Sequence, residues 1–172
     1  MRVIPLTVTA LTAALLLTAC DGGGGNDTGG SAGSACAIGG VSVQIGSASV
    51  APAAGDSGEV PVSITNHSAP CTLDHFAGAV LKTGTAQATV PPLKGAKAQK
   101  LKLAKGDSAS FSISYVRGKD GDKNTLAART VRISLPGSDT ARSFPWSYGP
   151  VAGRGSGGGP DASVSAFQQV GD

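Results

Sequence analysis

The sequence predicts an all-β protein: an Ig-like β-sandwich of about seven to eight antiparallel strands, preceded by a signal peptide and a Gly-rich tether. Three observations predict it. Apolar and polar residues alternate in short runs, which is the pattern of a strand with one face buried and one wet. Clusters of Gly, Asp, Ser and Asn separate the runs and supply turns. After the first twenty residues no stretch sustains a helical period.

The runs follow in order. Val41, Val43 and Ile45 alternate with Ser42 and Gln44. Val60, Val62 and Ile64 alternate with Pro61, Ser63 and Thr65. Leu73 and Phe76 to Leu81 form a mixed run, and Leu101 and Leu103 flank Lys102. Ala109, Phe111, Ile113 and Tyr115 alternate with serines. Val131, Ile133 and Leu135, then Phe144, Trp146 and Tyr148, continue the pattern, and Ser163 to Val170 closes it. Proline cannot donate to a strand ladder, so Pro61 marks an edge position or a bulge. The turns are Gly55–Gly58, Asn66–Ser68, Lys105–Asp107, Lys119–Asp122 and Pro136–Asp139.

The N-terminus reads differently. Arg2 is followed by an uncharged, mostly apolar stretch from Val3 to Leu17. It is shorter than the ~20 residues of a spanning helix and fits the apolar region of a signal peptide. Leu17-Thr18-Ala19-Cys20 resembles the bacterial lipobox. The resemblance implies cleavage after Ala19 and a thioether-linked diacylglycerol on Cys20; the alternative is an ordinary secretion signal with a chance cysteine. Two acyl chains anchor stably without help from a basic patch, because each buried methylene contributes about 0.8 kcal/mol. The expected organisation is a signal peptide over 1–19, a lipidated linker over 20–35 and a β-sandwich domain over 36–172. The expected location is the outer face of the cell membrane. The linker, with Gly22–Gly25, Gly29, Gly30 and Gly33, has a root-mean-square reach of about 20 Å.

The chain has three cysteines. With Cys20 assigned to lipid, Cys36 and Cys71 remain as a pair in a chain that leaves the cytoplasm, where a disulfide is favoured; free or metal-binding thiols are the alternative. The net charge of +3 is made of interspersed lysines and acids, and aromatic residues are 4% of the chain. Neither feature suits a nucleic-acid partner.

Val62-Ser63-Ile64-Thr65-Asn66-His67-Ser68-Ala69-Pro70-Cys71-Thr72-Leu73 resembles the domain of unknown function 4232, a family common in actinobacterial lipoproteins and secreted proteins. The family pattern is a strand ending in Thr-Asn, a turn, then Pro-Cys-Thr-Leu, with an earlier cysteine matched by Cys36. Gly106 to Ala109, Val131 to Gly137 and Ser163 to Phe167 are similar to later family segments. His75-Phe76-Ala77 stands where the family has Gly-Tyr-Pro. The resemblance implies fold and compartment, and brings no activity.

No residue set points to catalysis. The histidines are His67 and His75; with Asp74 and a serine they could be written as a triad, but no nucleophile elbow is present. A copper site needs a cysteine and an axial methionine beside two histidines, and the single methionine is Met1. Asp120-Gly121-Asp122-Lys123-Asn124 begins like a calcium loop, but Thr125 and Val131 stand where that loop needs Gly and Glu. Catalytic residues, metals and cofactors are therefore expected to be none. Phe144, Trp146 and Tyr148 are either core or, if exposed, a binding patch. Lys94, Lys97, Lys100, Lys102 and Lys105 either guard an edge strand or attract anionic polymer or headgroups. The expected function is a membrane-tethered, non-catalytic binding domain for a cell-wall or envelope protein partner. An envelope enzyme or a solute or metal carrier is the alternative.

Overall fold

A computed structural model describes residues 34–155 and 158–171. After one 3-10 turn, Ile38–Gly40, the strands are β1 (Val41–Ile45), β2 (Ser57–Asn66), β3 (Cys71–Leu73), β4 (Gly78–Thr83), β5 (Ala86–Val90), β6 (Leu101–Leu103), β7 (Ser108–Val116), β8 (Thr125–Leu126), β9 (Thr130–Ser134), β10 (Ala141–Pro145), β11 (Val151–Ala152), β12 (Ala162–Val164) and β13 (Gln168–Val170). The chain is all-β, as the alternation predicts. Short pieces raise the strand count above the expected number.

Two antiparallel sheets face each other. In one, β1, β2 and β7 lie side by side, and β12 and β13 share the far edge of β7. The other runs β10, β9, β4, β5. The ribbons β3–β6 and β8–β11 are separate. Inward residues Val60, Val62 and Ile64 of β2 and Ala109, Phe111, Ile113 and Tyr115 of β7 join Ala79, Leu81, Val131 and Ile133 of the opposite sheet in one buried cluster. Burying each of the larger side chains stabilises the fold by about 1.5–3 kcal/mol.

Pro61 lies inside β2, with neighbours on both sides, so it is not at an edge. It is at a bulge: the register Ile45↔Val62 continues as Ser49↔Glu59, one residue out of step. The Gly46 N–H donates to the Pro61 carbonyl at 2.9 Å. A strand residue points its N–H and C=O to the same neighbour, so the donor that proline lacks falls where the ladder is already broken. The last strand bulges in the same way, passing from Val164↔Ile113 to Gln168↔Ser110. Phe167 turns inward at that break and packs edge-on against Phe111 at 5.5 Å.

The strand expected over Phe144 to Tyr148 lies earlier, over Ala141–Pro145. Pro145 ends it, and Trp146 turns to donate its N–H to Arg129 O at 2.8 Å.

Candidate functional site

Cys20 lies outside the described residues, which begin at Ser34, two residues before Cys36. Cys36 and Cys71 form the expected disulfide, with a Cα–Cα distance of 4.9 Å, and both are buried. The chain just before Cys36 makes a single isolated β-bridge. Thr72 N–H donates to Ser34 O at 2.8 Å and Cys36 N–H donates to Thr72 O at 2.9 Å, a parallel bridge of Ala35 to Thr72. The linker root, β3 and β6 therefore lie side by side, with Lys102 directly across from Thr72.

Asn66 holds this ribbon to the sandwich, and it is fully buried. Its side-chain amide donates to Ala69 O, Leu103 O and Ala104 O at 3.0–3.2 Å. Its side-chain oxygen accepts from the Ser68 N–H and hydroxyl, each at 3.0 Å. Its backbone pairs with Asp107 O and Gly106 N. In the sequence Asn66 stands in the family-like motif and in a turn signal. The signal for more was present: Asn66 continues the inward positions 60, 62 and 64, where a polar residue must bring its own partners.

The aromatic trio packs inward. Trp146 is 5% exposed and belongs to the core, while Phe144 and Tyr148 are half-buried against it. Trp146 stands edge-on between Tyr115 (5.2 Å) and Tyr148 (4.9 Å) and donates its ring N–H to Gly149 O at 2.8 Å. Tyr115 donates its hydroxyl to Tyr148 O at 2.7 Å and accepts from Ala51 N–H at 3.3 Å. A Cβ on the facing Gly58 would come within 2.5 Å of the Tyr115 ring, so only glycine fits there. Tyr115→Phe strands both partners and is expected to cost about 1–2 kcal/mol, read as a lower urea midpoint at unchanged slope. Burial, and secondarily Tyr115, raises the Tyr148 pKa above the ordinary 10.0. Its neutral form is the one the fold favours. That contribution is therefore whole below pH 10 and declines only as pH rises above it.

The histidines lie on separate turns. His67 Nε2 is 3.0 Å from the Ser42 hydroxyl. His75 stands beside Asp74 at 3.3 Å, and Asp74 also meets Lys100 at 3.7 Å. Among the described residues neither histidine meets both the hydroxyl and the carboxylate of a triad. His75 has φ of +69°; a side chain in that left-handed conformation costs about 1–2 kcal/mol. Cys71 is taken by the disulfide, which removes the thiolate a copper site would use. In the Asp120–Asn124 turn the Asp122 carboxylate accepts from Asn124 N–H at 2.8 Å, capping its own backbone. Hollows of about 260 and 350 Å³ flank the β8–β11 ribbon, and neither is lined by a histidine.

Lys94, Lys97, Lys100, Lys102 and Lys105 are all exposed, on and beside β6. That strand is the open edge of its ribbon.

No curated protein and no solved structure matches the chain. A family model described as Domain of unknown function (DUF4232) matches residues 36–168. The match starts at the first disulfide cysteine and ends in the last strand, taking in both sheets and the Asn66 clamp. The chain belongs to the DUF4232 family.

Proposed function

We propose that this protein is a lipid-anchored domain displayed on the outer face of the cell membrane, where it acts by binding a wall or envelope protein partner rather than by catalysis. The observation that carries the reading is the lipobox-like Leu17-Thr18-Ala19-Cys20, followed by a glycine-rich linker up to Ser34. The disulfide supports it, because disulfides persist in oxidising compartments. So does the form of the domain entry: Ser34 and Cys36 are bridged to Thr72 by backbone hydrogen bonds, so a pull on the anchor meets these bonds and a covalent staple. The absence of a catalytic role is part of the proposal, and the separated histidines favour it.

The test is fractionation of cells expressing the full chain and its Cys20→Ala variant. The wild type is expected in the membrane fraction as a processed, acylated form. The variant is expected to lose the acyl group and the processing that depends on it. Identical processing and identical membrane retention of both would refute the anchor.

A further inference from the structure

The chain carries 14 Lys and Arg against 11 Asp and Glu, a net charge of +3. Five lysines fall between Pro91 and Lys105, a segment without any acid. Outside that segment the chain has nine Lys and Arg (14 − 5) against 11 Asp and Glu. The positive character of the domain is therefore concentrated on one connection, the one that forms β6.

The fold places that connection beside the membrane anchor's point of entry. The order linker root, β3, β6 puts Lys102 two strand spacings from Ala35, roughly 10 Å. Lys100 flanks the same strand. Lys105 opens the turn whose Gly106 N–H bonds Asn66 O, at the end of the sandwich where β2 finishes and β7 begins. Lys102 alternates with Leu101 and the buried Leu103, so its side chain leaves the ribbon away from the core. Among the described residues two carboxylates share this region. Asp74 meets Lys100 across a half-exposed pair, and Asp107 is occupied by Ala104 N–H at 2.8 Å. The lysines outnumber them. Thirteen residues separate Cys20 from Ser34, and a linker of that length reaches about 20 Å. An anchored domain therefore holds these lysines within a few screening lengths of the headgroups.

We infer that the lysine-bearing β6 edge, with Lys100, Lys102 and Lys105 at its centre, is a docking face for anionic phospholipid headgroups that sets the domain root-down on the membrane. The inference rests on the lipid-anchor reading. Phospholipid is the partner because the patch adjoins the linker root, where the bilayer is the nearest anionic surface. The opposite end of the sandwich, with Lys119 and Lys123 in the turns after β7, then points away from the membrane.

The experiment is lysine acetylation footprinting of the full chain on vesicles of phosphatidylcholine alone and of phosphatidylcholine mixed with phosphatidylglycerol, read residue by residue by mass spectrometry. Each lysine near an anionic surface favours the docked state about fivefold. Lys100, Lys102 and Lys105 are expected to react about tenfold more slowly on the anionic vesicles. The protection disappears at high salt, and Lys119 and Lys123 react equally on both. The Lys100→Gln, Lys102→Gln, Lys105→Gln variant is expected to lose the protection at Lys94 and Lys97. Equal reactivity of the three lysines on both vesicles overturns the inference. Protection by soluble poly(glycerol phosphate) but not by anionic vesicles also overturns it, in favour of a wall polymer. A chain that fails to stay on phosphatidylcholine vesicles refutes the anchor alone, because attachment to anionic vesicles still reports on the lysines.

Discussion

Cys36→Ser with Cys71→Ser is expected to destabilise the domain by about 4 kcal/mol, the chain-entropy value for a loop of 35 residues. For a domain of this size that lowers the melting temperature by roughly 10–20 °C. The loop closed by the bond contains β1 and β2, so the staple joins the start of one sheet to the β3–β6 ribbon. Both sulfurs are buried, and the loss therefore includes packing as well as loop closure. Thermal unfolding of the full chain with and without a reductant checks it. A second readout is local. Without the bond, Ser34 and Cys36 keep their backbone hydrogen bonds to Thr72, and the amide of Cys36 should exchange with solvent faster than that of Val62 in the core. A melting temperature unmoved by reduction would show that the hydrogen bonds alone secure the linker root.

The second large effect is expected at Asn66. Asn66→Ala removes three donated and two accepted side-chain hydrogen bonds at a fully buried position. The carbonyls it leaves behind are those of Ala69, Leu103 and Ala104. A buried polar group left unsatisfied costs about 1–3 kcal/mol, and carbonyls keep a second lone pair that can find other donors. A total of about 3 kcal/mol follows, read as a lower denaturant midpoint. Asn66→Asp should be at least as costly at neutral pH. It keeps the acceptor for Ser68 but directs a charged oxygen at three carbonyls. Asn66 and the disulfide clamp the same ribbon from two sides, so their combined loss should not equal the sum of the single losses. A near-neutral Asn66→Ala would mean that β6 is held by its pairing with β3 alone.

The fold was legible where side chains contrast strongly. The runs in β1, β2, β7 and β9 alternate apolar residues with mostly polar ones, and each forms a strand. β5 was not legible. Its Ala86-Gln87-Ala88-Thr89-Val90 run has small residues on a mostly exposed edge, so alternation leaves little trace. β8 and β11 have two residues each, too few for any period. The Phe144 to Tyr148 alternation predicted a strand three residues too far along, because Pro145 stops the ladder after Phe144 has set the pattern.

The site was legible in a different way. The cysteine pairing followed from redox chemistry and counting. The lysine concentration was visible as a run, but its position was not: only the pairing of β6 with β3, and of β3 with Ala35, brings it to the linker root. The inward position of Asn66 was visible in the alternation, but the partners of its amide were not, because they are backbone carbonyls, which carry no sequence signature. The aromatic trio remained open in the sequence between core and patch. Its inward packing depends on Tyr115, about thirty residues away in the chain and adjacent only once the sheets face each other.

Intact-mass analysis of the chain extracted from membranes tests most directly the proposed lipid on Cys20 together with the Cys36–Cys71 staple. The predicted mass is that of a chain beginning at Cys20 and bearing a diacylglyceryl group, rising on reduction by the pair of hydrogens taken up by Cys36 and Cys71. A chain that begins elsewhere without acyl mass would contradict the anchor, and a mass unchanged by reduction would contradict the staple.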